Sequence, residues 1–262
     1  MSEAMSEKLR LTYEGRTAIL TLDNPPANTW TPESLEKLEQ IIQELNRKPD
    51  VVALIITSAS EKFFSAGADL KRFDNLTPEE ARPFAEGFGK AFEALSDFNG
   101  LTIAAINGYA MGGGLEVALA CDLRVAEERA IMALPEAAVG LLPCAGGTQN
   151  LAILVGEAWA KRMILCGEKV GAEKALEIGL VEEVVGAGES VGRAKALAAN
   201  AEKQSPDALR ACKKLVQMSR SGFSRDALPN ERELFLELFN GKNQQEGVRA
   251  FLEKRKPEWS YE

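Results

Sequence analysis

The chain has 262 residues, a formal net charge of -8 at pH 7 and no histidine. Hydrophobic residues make up 45% and charged residues 27% of the sequence, which is typical of a globular protein with a sizeable core. The acidic balance argues against general nucleic-acid binding, which needs a basic surface. The absence of histidine excludes Ser-His-Asp and Cys-His triads and the H-E-x-x-H zinc motif, so any chemistry must use carboxylates, lysine, tyrosine, thiols or the backbone.

The cysteines and the apolar runs bear on location. The four cysteines are far apart and form no C-x-x-C pair, which indicates neither a zinc site nor a disulfide framework. We expect all four cysteines to be reduced core residues of a cytoplasmic protein; they are Cys121, Cys144, Cys166 and Cys212. No apolar run approaches the roughly 20 residues of a membrane helix. The polar, acidic segment 1–8 is unlike a secretory signal.

The first elements are a hairpin, a helix and a buried strand. Residues 9–13 and 16–22 flank a glycine turn and predict a β-hairpin. Thr31 is placed as the N-cap of a helix that reaches toward Pro49. The β-branched run 51–57 predicts a buried strand.

A loop of small residues follows at 63–70. The capping box at 77–80 predicts a helix over 78–96, and 102–106 predicts another buried strand. The glycines 112–114 then lead into a helix from about 114 to 121.

Strands and helices alternate as far as about residue 195, and the rest is predicted to be helical. This pattern favours an α/β core over 1–195 with a C-terminal helical segment over 196–262. The remaining predicted elements are a strand at 123–126, a helix from 146–148, a last strand at 181–185 and a helix from 205–207. A final helix is predicted to start at Asn243-Gln-Gln-Glu246, to have Lys254-Arg255-Lys256 in its last turn and to end at Pro257.

The most informative segment runs from Gly108 to Glu116, where a strand, three glycines and a helix follow one another. Glycines let the backbone approach a ligand, and the first amides of a helix point at whatever lies before them. A developing oxyanion suits that position. Glu116 lies about one turn after Gly113, so its carboxylate can share a face with that amide. Tight packing with a solvated Glu116 is an equally good interpretation, and the glycine spacing matches neither a Walker A loop nor G-x-G-x-x-G.

Two further segments carry candidate groups. Ser65-Ala66-Gly67-Ala68-Asp69-Leu70 follows a buried strand and can supply a second amide donor, although taken alone it favours an ordinary surface turn. Leu134-Pro135-Glu136 places one carboxylate in an apolar stretch, although taken alone it favours a partly exposed loop acid.

Together, these segments resemble the crotonase superfamily, the enoyl-CoA hydratase/isomerase family, over nearly the whole chain. The resemblance rests on the ordered set N-P-P-A-N from Asn24, A-G-A-D-L from Ala66, G-G-G-x-E ending at Glu116, P-E at Glu136 and A-G-G-T-Q from Ala145. It implies a spiral of repeated strand-strand-helix units, followed by helices that build a trimer or a hexamer of two trimers.

The resemblance also implies roles for particular residues. The amides of Ala68 and Gly113 would form an oxyanion hole for a thioester carbonyl, and Glu116 and Glu136 would be catalytic. The loop from Ala66 to Lys71 would line the path of coenzyme A, with Ala66, Gly67, Asp69, Leu70 and Lys71 as its contacts. The implied substrate is an acyl-CoA thioester, with no metal, no other cofactor, no nucleic acid and no membrane as partner.

The chain has a glutamate at both positions that the family's hydratases use, Glu116 and Glu136, and this favours hydration of a trans-2-enoyl-CoA. Double-bond isomerisation is the alternative, with thioester hydrolysis or decarboxylation behind it, because fold and site do not fix the reaction. A binding protein that kept the scaffold, such as an RNA-associated member, is a third class, and the acidic composition argues against it. Cys144 stands where the family often has glycine, and Asn150 where arginine is common; neither departure removes a carboxylate.

Overall fold

A computed structural model describes residues 8–73, 75–221 and 227–261, so most of the polar segment 1–8 lies outside the described residues. The described strands are β1 Leu9–Glu14, β2 Thr17–Leu22, β3 Ala53–Ser58, β4 Phe63–Ser65, β5 Leu101–Ile106, β6 Tyr109–Met111, β7 Leu123–Glu127, β8 Ile131–Ala133, β9 Val170–Gly171 and β10 Glu183–Val185. The described helices are α1 Pro32–Asn46, α2 Pro78–Ser96, α3 Gly113–Ala120, α4 Gly147–Leu165, α5 Ala172–Glu177, α6 Ser190–Ala201, α7 Pro206–Met218, α8 Ala227–Glu237 and α9 Lys242–Leu252.

The strands form two sheets that share a repeated unit. The larger sheet has the order β1-β2-β3-β5-β7-β10, antiparallel only at β1. The smaller has the order β4-β6-β8-β9, antiparallel only at β9. Three successive units each place one strand in the larger sheet and the next in the smaller, and then form a helix: β3-β4-α2, β5-β6-α3 and β7-β8-α4. The predicted α/β class and the repeated strand-strand-helix unit are confirmed.

The larger sheet is covered on both faces, which explains why β3 and β5 are nearly continuous apolar runs. One face, with Leu54 and Ile56 of β3, belongs to the main core beside α1 and α2. The other face, with Ile55 of β3, packs against Ala194 and Ala198 of α6. Helix α6 spans residue 195 and contacts the larger sheet. The structure does not test the proposed division of the chain at residue 195, which stays a prediction.

The predicted hairpin, α1, α2, α3 and α7 are confirmed, with their bounds shifted by a few residues at most. Thr31 and Thr77 cap α1 and α2, and their hydroxyls accept hydrogen bonds from the third residue of each helix. The smaller sheet was missed. Its strands have two or three residues each, and the predicted small-residue loop at 63–70 contains β4 and ends at the first residue of a 3-10 turn, Leu70–Arg72.

The predicted start and end of the last helix were wrong. Gly241 is the N-cap, and α9 runs only to Leu252. Asn243 is buried in the first turn, where its amide nitrogen donates to Asp207 Oδ2 and to the carbonyl of Ser260, both at 2.8 Å. Its side chain therefore joins α7 to the C-terminal tail instead of capping α9. The cations Lys254-Arg255-Lys256 follow the helix, so they do not occupy its last turn, and Pro257 does not end it.

The prediction that the cysteines are core residues was largely wrong. All four thiols are free, but only Cys121 is buried, and Cys144, Cys166 and Cys212 are exposed. Sequence spacing excludes a disulfide framework but does not report accessibility. Within the described ranges, no helix combines the length and apolar character required to cross a membrane.

Candidate active site

Glu116 lies in the first turn of α3 and is 3% exposed. Its Oε1 accepts hydrogen bonds from the backbone N–H of Ala145 at 2.8 Å and of Gly147 at 3.0 Å. Gly147 is the first residue of α4, so its amide has no partner inside the helix. A buried carboxylate is thus held in one orientation by the beginning of the next helix, and its second oxygen makes no hydrogen bond within the described part of the chain.

Glu136 opens the short 3-10 turn that follows β8. Both of its carboxylate oxygens are buried, and neither has a hydrogen-bond partner on another described residue. An unpaired buried carboxylate is costly in a folded protein, which marks Glu136 as a group kept for chemistry or binding. The two glutamates predicted from the sequence lie in the same cavity.

Burial raises the pKa of both carboxyl groups. At Glu136, burial and the negative charge of Glu116 raise the pKa to about 7. At Glu116, burial raises the pKa, and the hydrogen bonds from Ala145 and Gly147 partly oppose that shift because they stabilise the charged form. Near neutral pH, a large fraction of Glu136 is therefore protonated and able to donate a proton.

The raised pKa of Glu136 predicts a pH-dependent stability. An acid whose pKa rises from 4.5 to about 7 on folding stabilises the folded state fully below its unfolded pKa and loses that contribution as pH rises through about 7. The melting temperature of the parent should therefore fall more steeply from about pH 5 to about pH 8 than that of Glu136→Gln. Thermal denaturation of both proteins in matched buffers measures this, and parallel curves would contradict it.

The two predicted donor amides lie on loops that touch each other. Ala68 pairs with Trp30 in a parallel bridge, in which Trp30 N donates to Gly67 O at 2.8 Å and Asp69 N donates to Trp30 O at 3.3 Å. Ala68's own N–H takes no part in that bridge, and Gly113 N–H is the first amide of α3. Neither amide donates a hydrogen bond to any described group.

Gly67 allows these loops to approach so closely. Its φ is +87°, and a Cβ there would lie 2.7 Å from the carbonyl oxygen of Met111 and 3.1 Å from Gly113 N. Any larger residue would push the Ala68 loop away from α3.

The two glutamates line one cavity of about 520 Å³ together with Ala68 and Gly113, the residues predicted to carry the donor amides. Its only ionisable side chains among the described residues are Glu116, Glu136 and Cys144. The lining is otherwise apolar or backbone, from Ala66, Gly67, Ala68, Leu70, Phe73, Ala81, Ala85, Phe88, Met111, Gly112, Gly113, Pro135, Val139, Gly140, Leu141 and Leu142. Of the predicted coenzyme A contacts, Asp69 and Lys71 lie outside this lining, and Asp69 faces Arg72 at 3.7 Å.

Sequence reasoning missed several groups at the site. The amides of Ala145 and Gly147 that hold Glu116 belong to the A-G-G-T-Q segment, which was noted without a role. Phe88 is not among them: it lies in the stretch 71–95, for which the family resemblance implies a variable acyl-pocket segment, and it lines the cavity beside Gly113. Cys144 differs from the glycine that is common in the family; although it is exposed, partial desolvation in the cavity and the charges of both glutamates raise the pKa of its thiol to about 11, which keeps it protonated.

Comparison with known proteins gives one consistent result. A family model described as enoyl-CoA hydratase/isomerase matches residues 13–262. A short-chain-enoyl-CoA hydratase from Clostridium acetobutylicum is 36% identical over 249 residues, which cover 95% of each chain. The solved structure of Pseudomonas aeruginosa DspI is 58% identical, covers 99% of both chains and has a TM-score of 0.95. That of an enoyl-CoA hydratase from Bacillus anthracis is 33% identical, covers 98% of this chain and 100% of the other, and has a TM-score of 0.93.

Proposed function

The chain belongs to the enoyl-CoA hydratase/isomerase family of enzymes and has the crotonase fold, and we propose that it adds water across the double bond of a trans-2-enoyl-CoA to give a 3-hydroxyacyl-CoA. The observation that carries this proposal is the pairing of two buried carboxylates with two free amides in one cavity. Relatives that are named hydratases match along nearly the whole chain, which supports the same reaction.

In the proposed mechanism, the amides of Ala68 and Gly113 donate hydrogen bonds to the thioester oxygen, where negative charge develops. Glu116 and Glu136 hold one water between them. Glu116 takes a proton from the water as its oxygen bonds to C3, and protonated Glu136 gives a proton to C2. Exchange with solvent then returns a proton to Glu136 and removes one from Glu116, so one water is consumed in each cycle.

The hydrogen bonds at Glu116 support this division of labour. Two backbone N–H groups of other residues favour its charged form, which suits a base, whereas no other described residue donates to Glu136, whose pKa of about 7 suits an acid. Proton transfer and charge stabilisation are all assigned to protein groups, so we propose that coenzyme A enters only as part of the substrate and that no metal or other cofactor is needed.

The mass of the product tests the reaction. With a trans-2-enoyl-CoA, hydration gives a product heavier by one water, whereas thioester hydrolysis or decarboxylation releases a fragment. With a trans-3-enoyl-CoA, isomerisation gives a product of unchanged mass and a new retention time. The hydration reaction is supported if the parent forms the product that is heavier by one water and the Glu116→Gln, Glu136→Gln double variant does not. Fragment loss, or isomerisation without hydration, would replace it with the corresponding alternative.

The lining of the cavity predicts selection against a charged acyl chain. No cationic side chain among its described lining residues can pair with a carboxylate, and two glutamates already lie there. Burying an unpaired carboxylate costs several kcal/mol, so trans-2-hexenoyl-CoA should exceed 2,3-dehydroadipyl-CoA in kcat/KM by about 10-fold or more. The two substrates have the same carbon number and differ at the chain end. Equal kcat/KM values would show that the chain end lies outside the cavity.

We also propose a trimer, or a hexamer of two trimers, in the cytoplasm. Apolar side chains of the C-terminal helices are left uncovered in the single chain, with Phe235 59%, Phe239 49%, Val248 52% and Phe251 83% exposed. The same C-terminal segment also carries Leu228, Leu234 and Leu238, of which only Leu228 is exposed. A surface of this kind is commonly buried between subunits. Sedimentation equilibrium at micromolar concentration should give the mass of three or six chains, and a monomer would reject the proposal.

A further inference from the structure

Three buried aromatic side chains connect the two loops that carry the donor amides. Trp30 is 3% exposed, Phe88 4% and Phe92 1%. The Trp30 and Phe92 ring centroids are 5.5 Å apart with an interplanar angle of 71°, and those of Phe92 and Phe88 are 5.7 Å apart at 86°. Both pairs have the edge-to-face arrangement that aromatic rings favour. Trp30, Phe92 and Phe88 are called the aromatic row below.

Each end of the aromatic row fixes one donor. At one end, the backbone N–H of Trp30 donates a hydrogen bond to Gly67 O, and the backbone carbonyl of Trp30 accepts one from Asp69 N. These two bonds fix the chain immediately before and after Ala68. At the other end, Phe88 Cε1 lies 2.9 Å from the place where a Cβ on Gly113 would stand, so its ring edge rests directly on the first residue of α3. Phe92, in the middle, lies four residues after Phe88 on α2 and does not line the cavity.

From these contacts, we propose that the aromatic row is a positioning device for the oxyanion hole: it sets the separation of the Ala68 and Gly113 amides. The proposal rests on the assignment of these amides as thioester donors. Closely packed rings transmit a displacement at one end to the other, because the interior has few gaps to absorb it. The thioester oxygen can accept from both amides only while their separation is kept, and donors held by packed side chains need no rearrangement when charge develops.

The middle residue gives the sharpest variant. Phe92→Leu removes the ring that connects the two ends without touching the cavity, the donors or the glutamates. Phe98→Leu is the matched control, because Phe98 is also 1% exposed and has no ring contact with the aromatic row. Both changes remove the same atoms from the interior, so both should lower the melting temperature by similar amounts.

The stretching frequency of the thioester carbonyl reports the strength of the oxyanion hole separately from folding. The probe is butanoyl-CoA labelled with ¹³C at the carbonyl, which binds as a saturated acyl-CoA and cannot be hydrated. In the parent, infrared difference spectra should show the carbonyl band of the bound probe at a lower frequency than that of the free probe, because the two N–H groups polarise the C=O bond.

The expected result is a smaller carbonyl shift and a lower kcat in Phe92→Leu alone. Misplacement by a fraction of an ångström should lower kcat by about 10-fold, less than the 10²–10³ that follows loss of a whole donor, with KM changed by less than about 3-fold. Phe98→Leu should keep the parent's frequency and kcat. If Phe92→Leu does not fold, Phe92→Met fills similar volume without a ring and gives the same comparison.

Two results would overturn the positioning role: a folded Phe92 variant with the parent's carbonyl frequency and kcat, or equal losses of both in the Phe92 and Phe98 variants. A parent that shows no carbonyl shift would reject the oxyanion hole, and the positioning role with it. A parent that shifts the carbonyl band but forms no hydrated product would reject only the proposed reaction and leave the aromatic row with its role.

Discussion

Glutamine in place of either Glu116 or Glu136 is expected to lower the turnover number by roughly 10²–10⁴, the usual contribution of a positioned acid or base. The substitution keeps the size of the side chain and removes its ability to transfer a proton. At Glu116, the amide oxygen of glutamine can still accept from Ala145 and Gly147, so the start of α4 should keep its place. Acyl-CoA binding should change little, because the Ala68 and Gly113 amides are untouched.

The double variant tests whether the carboxylates act as a unit. If they share one water, the double change should cost far less than the product of the single changes. Glu127→Gln is the matched control, because Glu127 is a buried glutamate that pairs with Arg129 and Ser190 outside the cavity. Steady-state hydration rates of the four variants give the answer. Near-normal hydration by Glu136→Gln, with Glu116→Gln inactive, would reject the shared water and favour a one-base isomerase.

The sequence identified the main candidate residues because their order along the chain is specific, although each segment alone is ambiguous. A glycine run before a helix has a packing interpretation as good as its chemical one, and a glutamate after Leu134-Pro135 is better explained, taken alone, as a loop acid. The structure places Glu116, Glu136, Ala68 and Gly113 around one cavity. Hydrophobic periodicity cannot give that proximity, since the four residues come from three different strand-strand-helix units.

The smaller sheet escaped prediction for a physical reason. A strand of two or three residues, such as β8 or β9, is too short to show an alternating pattern. These strands are recognised only by their hydrogen bonds to distant neighbours. The same sheet brings the segments before α3 and α4 together, so the partners of Glu116 depend on contacts across 29 and 31 residues.

The start of α9 was misplaced because a capping pattern is a local signal. Asn243 and Glu246 have the spacing of a capping box, but Gly241 is already the N-cap of α9, and the Asn243 side chain is hydrogen-bonded to Asp207 and Ser260. When tertiary partners satisfy the hydrogen bonds of a buried side-chain amide, that side chain does not make the local capping bond that the sequence pattern predicts.

The change Gly67→Ala is expected to lower the turnover number by roughly 10²–10³, the range observed when one oxyanion donor is lost. The new Cβ would stand 2.7 Å from Met111 O and 3.1 Å from Gly113 N, both of which are backbone atoms that cannot rotate away. The Ala68 loop must then move away from α3, which separates the two donor amides. Both glutamates stay in place, so the pH dependence of the remaining activity should match that of the parent.

Backbone strain alone must be separated from this displacement, because Gly67 has a positive φ that alanine rarely adopts. Gly188→Ala is the matched control: Gly188 has φ +83°, close to the +87° of Gly67, and a Cβ there would meet nothing within 4 Å. Both variants should lose some thermal stability, but only Gly67→Ala should lose turnover and the low carbonyl frequency of bound ¹³C-butanoyl-CoA. A folded Gly67→Ala protein that retains both would show that the Ala68 amide does not serve the reaction, because the clash with Met111 and Gly113 leaves that amide no way to keep its place.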